Sequence, residues 1–296
     1  MLEKQINIES KETGFEKVIP TAWMVAYRRT FSDIPYSQEI FNKLEDIRKK
    51  MGQKDISDDL KKPEMAPQFE ARHKLIDKLI LKTGNTQILE LASGFSSRGL
   101  SMAHDNNFEY TEIDLPEVIK EKKQIIQEIT SEEGRAVPNN LHFQSGNVLD
   151  FQNLEKATEH FDKTKPLTII NEGLLRYLNF QEKAKVAENI HTLLKEFGGA
   201  WITSDISLRK IFSNENKIMK DHVGKISELT GKDIVANRFE TEEEAKKFFE
   251  NLGFSIESHS FSEVINDLKS PKNLGLSEEH VKDTLEAAVV FVMRPI

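Results

Sequence analysis

The sequence predicts an α/β protein built on a mostly parallel, doubly wound sheet, and three observations carry that expectation. From Thr86 onward, short apolar runs alternate with helical stretches. The first run ends in a carboxylate and breaks into small residues, Glu90-Leu91-Ala92-Ser93-Gly94, before a helix-like pattern resumes. A second run closes on Glu112-Ile113-Asp114, about twenty residues past that glycine.

Ahead of the sheet, residues 15–80 read as helical. Thr21-Ala22-Trp23-Met24-Val25-Ala26-Tyr27-Arg28-Arg29 has apolar residues at helical spacing, and Asp33-Ile34-Pro35-Tyr36-Ser37 ends it as a turn. Ser37 is the expected N-cap of a helix over 38–50. The polar stretch 52–67, with Pro63 and Pro67, reads as a loop or weak helix. A further helix over 69–81 sets Leu75, Ile76, Leu79 and Ile80 on one side and stops near Gly84.

Strands are expected at 87–91, 108–113, 141–144, 167–171, 200–204, 254–259 and 287–293. Helices fit at 97–104, 116–130, 180–197 and 242–252, the last capped by Thr241. The final two strands read as a closing pair at one edge, the last running antiparallel. Between them, 268–276, with Ser270-Pro271 and Gly275, reads as an irregular loop. The segment 207–239 exceeds a normal strand-to-helix connection and carries its own helical pattern over 211–229, so it is expected to be a lid or substrate wall. The organisation expected is a helical cap over 1–84 and a sheet domain over 85–296, forming one unit.

Composition narrows the function classes. The 296 residues are 38% hydrophobic and 30% charged, ordinary for a globular protein with a full core. No run of eighteen apolar residues occurs, so no membrane association is expected. The first thirty residues hold Glu3, Glu9, Glu12 and Glu16 and do not read as a secretory signal. Cys is absent, which removes disulfides, thiolate metal sites and a Cys nucleophile and fits a reducing cytoplasm, the expected location. A formal net charge of −8, with Lys49, Lys50, Lys54, Lys61 and Lys62 interleaved with acids, argues against a nucleic-acid partner. His104, His142, His160, His191, His222 and His280 show no metal-ligand spacing, so no metal is expected. No serine is flanked by the glycines of a nucleophile elbow.

Ligands of open α/β sheets bind beyond the carboxyl ends of the strands, so the residues there are the candidates. After the first strand come Glu90, Ala92 and Gly94, where a glycine allows close backbone approach. The loop lacks the three-glycine dinucleotide signature and a Lys for triphosphate. That selects a nucleoside with a ribose but no pyrophosphate, and S-adenosylmethionine is the commonest such molecule. After the second strand come Glu112, Asp114 and Leu115. The two acids share a strand face, so one suffices for the ribose hydroxyls, and Asp114 at the turn is the better placed. Its alternative reading is a cap for the helix at Pro116. After the third, Asn147 and Val148 could meet the adenine. After the fourth, Glu172 ends an apolar strand and needs a cation, either the cofactor's own or an internal Arg.

These residues resemble the leucine carboxyl methyltransferase family, which includes bacterial relatives assigned to O-methylation in polyketide-type pathways. Thr21-Ala22 with Arg28-Arg29 is similar to its N-terminal signature, and Arg72 with Leu75-Ile76-Asp77 to its next helix. Leu89 through Arg98 resembles the glycine loop. Glu112-Ile113-Asp114-Leu115-Pro116 with Lys120, and Glu172-Gly173-Leu174-Leu175-Arg176-Tyr177-Leu178, resemble the two strings after strands. The resemblance implies a class I methyltransferase fold of Rossmann-like type. Its seven strands have the last antiparallel, with N-terminal helices as a cap and an insertion after the fifth strand. It also implies that Arg72, Gly94, Asp114, Asn147 and Glu172 meet S-adenosylmethionine, with Arg72 on its carboxylate. The chain departs from the pattern at Ala92, where Gly is usual, at Ser96, where Asp is common, and at Asn147, where an acid is common.

The expected activity is methyl transfer to a hydroxyl or carboxyl oxygen of a small molecule. Carboxyl methylation of a protein C-terminus and cofactor binding without catalysis are the alternatives. A carboxylate acceptor needs no base, whereas an alcohol benefits from one. Tyr177, Asp205 and Tyr36 are the candidate bases. Their alternative readings are structural: Tyr177 packing under the cap, Asp205 capping a helix of the insertion.

Overall fold

The computed structural model describes residues 14–53, 61–206, 208, 234–285 and 288–296. Seven strands form one sheet: β1 (Gln87–Leu91), β2 (Glu109–Asp114), β3 (Leu141–Ser145), β4 (Leu167–Asn171), β5 (Gly199–Thr203), β6 (Phe254–Ser260) and β7 (Val289–Pro295). They lie in the order β3-β2-β1-β4-β5-β7-β6. β1 pairs in parallel with β2 and β4, while β7 runs antiparallel to both its neighbours. This is the sheet the sequence predicts, including the reversed strand inside a closing pair.

The register follows from residue period. β1 and β4 are buried at every position, as central parallel strands covered on both faces must be. Ile88 and Tyr110 face one hydrophobic cluster, whereas Leu89, Leu91 and Ile113 face the other. The first cluster is continuous from Ile19 and Trp23 in the N-terminal helix through Ile76 to Val290 and Val292 of β7. Helices α1 (Gly14–Arg29), α2 (Ser37–Lys50) and α3 (Ala66–Thr83) sit on that side. Trp23 stacks on Tyr27 at 5.3 Å and meets Phe41 of α2 edge-on. Helices α4 (Arg98–Met102), α5 (Pro116–Glu132), α6 (Phe151–Thr158), α7 (Phe180–Phe197) and α8 (Glu242–Glu250) connect the strands.

Several boundaries differ from expectation. Ser37 does not cap α2: it is the first helical residue, its Oγ donates to Ile34 O at 2.7 Å, and Tyr36 before it is left-handed at φ 62°. α3 starts at Ala66, three residues early, because Pro67 fits the first helical turn. α6 was not foreseen. Its eight residues are too few for periodicity to register, although Asp150 accepting from Gln152 N is an ordinary cap. The connection between β6 and β7 is not an irregular loop but a 3₁₀ turn Phe261–Asp267 followed by α9 (Ser270–Leu274) and α10 (Glu278–Leu285). Its anchor is Glu70 of α3, which is fully buried and accepts from Lys269 N and Ser270 N at 2.8 Å each.

The helical pattern expected over 211–229 lies outside the described residues. Of the expected lid, Leu208 forms a single parallel bridge with Phe239, and Ile234 and Phe239 are buried. Among the described residues no helix is long and apolar enough to cross a membrane.

Candidate functional site

A cavity of about 630 Å³ lies at the carboxyl ends of β1 to β4, roofed by α1. That volume is within the usual range of small-molecule sites. Its floor is the turn after β1, where Ala92 (φ 49°) and Gly94 (φ 48°) are both left-handed. A side chain built on Gly94 would meet nothing within 4 Å, so the backbone there is open on the cavity side. Gly99, in α4, serves differently: a Cβ would collide with the Glu112 carboxylate, so its absence sets the helix against the sheet.

Asp114 and Glu112 take separate roles. Asp114 borders the cavity, and its carboxylate accepts from Gly94 N and Leu115 N at 2.7 Å each. It does not cap α5, whose cap residue Leu115 has no side-chain cap bond. Burial pushes the Asp114 carboxyl up, against the pull of those two amides. Glu112 points into the sheet–helix layer and stands 2.7 Å from Lys122 Nζ, both side chains buried. Burial, only partly offset by Lys122, pushes Glu112 up to about 7.

Glu172 borders the cavity as expected, but its charge is already matched. Arg29 contacts Glu172 Oε1, Arg72 Nε donates to it at 2.9 Å, and Arg98 Nη2 donates to Oε2 at 2.9 Å. Burial alone would raise this carboxyl; Arg29, Arg72 and Arg98 hold it well below the usual range. Glu172 thus has the internal arginine partners of its alternative reading, which match its charge within the protein. Glu90, which also borders the cavity, is likewise partnered within the protein, by Arg98 Nη1 at 3.0 Å and the Tyr110 hydroxyl at 2.8 Å. Arg98, wholly buried, also donates to Asp77 Oδ1 at 2.5 Å. Arg72 lies on the cavity wall with part of its guanidinium turned to Glu172. The ring of Phe69 carries the Arg28 and Arg72 guanidinium carbons 4.8 Å from its centre.

At the end of β3, Asn147 Oδ1 accepts from Leu149 N at 3.0 Å, which shapes a tight turn and uses the oxygen expected for a base edge. Val148, buried, and Leu115, 39% exposed at the rim, supply apolar surface to the cavity.

The expected bases fare poorly. Asp205 is fully buried behind the turn that follows β4, accepting from Gly173 N, Leu174 N, Leu175 N and Asn171 Nδ2 at 2.5–3.0 Å. It fixes that turn and does not border the cavity; the helix of the insertion that it is alternatively expected to cap lies outside the described residues. Tyr177 does border the cavity, but burial pushes its phenol up, away from ready ionisation. Tyr36 lies outside it, its hydroxyl 2.6 Å from His104 Nε2.

Sequence reasoning gave no role to Arg29, Arg98 or Ser93. Ser93 Oγ, Arg29 Nε and Arg176 Nε are buried beside the cavity without a hydrogen-bond partner among the described residues. Buried donors left in this state suit an oxygen-rich ligand. The adjacent Arg28-Arg29 at the end of an apolar helix was the available signal. The histidine spacing also missed one convergence, of Glu109, His142 and His160.

Comparison with known proteins gives three findings. The family model described as leucine carboxyl methyltransferase matches residues 28–191. Over 165 residues the chain is 28% identical to a Mycobacterium tuberculosis protein named "Putative S-adenosyl-L-methionine-dependent methyltransferase". That alignment covers 52% of this chain and 49% of the relative, so the chain spans about half the length of the curated relatives it matches. The fold resembles that of a DUF574 family protein from Streptomyces avermitilis, at a TM-score of 0.56 and 13% identity. This likeness extends over 93% of this chain and 97% of that one.

Proposed function

Because the chain belongs to the leucine carboxyl methyltransferase family, we propose that it is an S-adenosylmethionine-dependent O-methyltransferase acting on a hydroxyl or carboxyl group of a small molecule. The observation that carries this reading is Asp114. It is an ionisable acceptor at the end of the second strand, bordering a cavity whose backbone is open at Gly94. A carboxylate there suits the two hydroxyl donors of a ribose. Leu115 and Val148 would flank the adenine, with Asn147 at that end. The methionine carboxylate would lie toward Arg72 and the unpartnered Arg29 Nε and Ser93 Oγ. Ala92, Glu90 and Glu172 shape the cavity wall rather than lend charge to the ligand.

When bound, S-adenosylmethionine supplies a methyl group already activated on a sulfonium. The chain has to orient the acceptor oxygen and exclude water, and alignment contributes on the order of 7–11 kcal/mol of barrier lowering. Met24, Val25 and Ala26 of α1 with Leu174 and Leu178 form the apolar wall on which an acceptor would lie. Neither Asp205 nor Tyr177 offers a ready base, which favours an acceptor that arrives ionised, a carboxylate above an alcohol. The apolar wall favours a small molecule over a protein C-terminus.

The test is calorimetric and chemical. S-adenosylmethionine or its demethylated product, at a hundred times its dissociation constant, should stabilise the protein by about 2.7 kcal/mol. Isotope-labelled methyl should pass to aliphatic or aromatic acids as a base-labile ester, in preference to phenols or peptides with a free C-terminus. Absence of stabilisation by either compound overturns cofactor binding. A base-stable methyl product overturns the preference for a carboxylate over a hydroxyl, and a peptide as the preferred acceptor overturns the small-molecule assignment.

A further inference from the structure

Glu109 opens β2, His142 is the second residue of β3, and His160 lies in the turn after α6. Parallel pairing puts His142 opposite Thr111, and Glu109, two residues before Thr111, shares its strand face. Three separate segments thus meet at the amino end of the sheet edge, away from the cavity at the carboxyl ends. One nitrogen or oxygen from each side chain lies within 4.8 Å of the other two. His142 Nε2 contacts Glu109 Oε1, and His160 Nε2 stands 4.0 Å from the same oxygen. The imidazole rings are packed together, centres 4.1 Å apart and inclined at 43°. All three side chains are between 33% and 39% exposed, so solvent reaches the point where they converge.

We propose that Glu109, His142 and His160 form a binding site for a divalent transition-metal ion, zinc being the best match. Two imidazole nitrogens and one carboxylate oxygen are a zinc donor set, and solvent can supply the fourth ligand. Donors about 2.0–2.2 Å from a tetrahedral ion stand roughly 3.3–3.6 Å from one another. The separations in the cluster straddle that value, and side-chain rotation alone would close the set. Magnesium and calcium prefer oxygen ligands, which this group does not supply in number. Thr111 Oγ1, 3.0 Å from His160 Nε2, orients the ring that would turn toward the ion. An ion bound at that nitrogen would replace this contact. Phe161 packs on the same ring at 4.5 Å and limits its travel. An ion here would tie the edge strand β3 to β2 and to the turn after α6. Its consequence is greater stability of the sheet edge, not methyl transfer.

The experiment is calorimetric titration of zinc into tag-free, chelator-stripped protein, with cobalt(II) as a spectroscopic probe. The expected result is one equivalent bound, a tetrahedral cobalt absorption in the visible, and a higher melting temperature with zinc. H142Q and H160Q should each weaken zinc binding at least tenfold and abolish the cobalt band. These half-exposed positions leave the core intact, and melting without metal checks that both variants fold. No zinc binding to the parent protein, or binding unchanged in the two variants, overturns the proposal.

Discussion

Gly94 donates its backbone N–H to Asp114 Oδ2 at 2.7 Å, so the turn after β1 and the end of β2 are held by one charged hydrogen bond. Asp114 receives a second amide, from Leu115, on its other oxygen. An asparagine at this position has one acceptor oxygen for two facing donors. D114N should therefore weaken S-adenosylmethionine binding by tenfold or more, hydrogen bonds to a charged group being worth about 1.5–3 kcal/mol. E112Q should cost less, because Glu112 faces Lys122 and not the cavity. Calorimetry on the two variants checks the order; the reverse order would assign the ribose to Glu112.

Glu112 also predicts a pH dependence of stability. Its folded-state carboxyl titrates at about 7, whereas its ordinary value is 4.5. Between those values the folded protein holds more protons than the unfolded chain, so stability falls as pH rises. The contribution is full below 4.5 and lost as pH passes through 7. In denaturant unfolding, the stability of the parent relative to E112Q should fall as pH rises across that window, leaving the variant favoured at its upper end.

D205N should unfold far more readily while leaving the chemistry of the folded fraction unchanged. Asp205 gathers four donors in a buried site, and a neutral amide with one acceptor oxygen cannot satisfy them. A loss of about 3–5 kcal/mol is expected for disrupting a buried charge network. If D205N keeps its stability but loses turnover with a shifted pH–rate profile, Asp205 is a base after all.

Ala92 is left-handed at φ 49°, where a side chain costs roughly 1–2 kcal/mol. A92G should relieve that strain, offset by about 0.5–1 kcal/mol from the greater freedom of an unfolded glycine. A net gain of up to about 1 kcal/mol is expected in denaturant unfolding. A loss would mean that the methyl group packs usefully against the wall.

The sheet was legible because its signals are local. The buried run Ile88–Leu91 and the turn chemistry at Gly94 and Asp114 are written within a few residues of one another. The charge partners were not. Arg98 meets Glu90, Asp77 and Glu172 only after three segments assemble, and Asp205 finds its donors in a turn 30 to 34 residues earlier in the chain. An acid at a strand's end looks the same in sequence whether it faces a ligand or an arginine. Short elements such as α6 and α9 fall below the length at which periodicity speaks, and Glu70 anchors α9 from two hundred residues away.

Among the described residues β6 joins the sheet only through β7, which follows it in the chain yet lies between it and β5. Until β7 is in place, β6 and the exposed side of β5 are two unpaired edges with a gap of one strand between them. Each is a template for another chain's backbone until β7 slots in. Stalled or nicked products lacking β7 should therefore be the form most dependent on chaperones, and the most prone to aggregate by edge pairing.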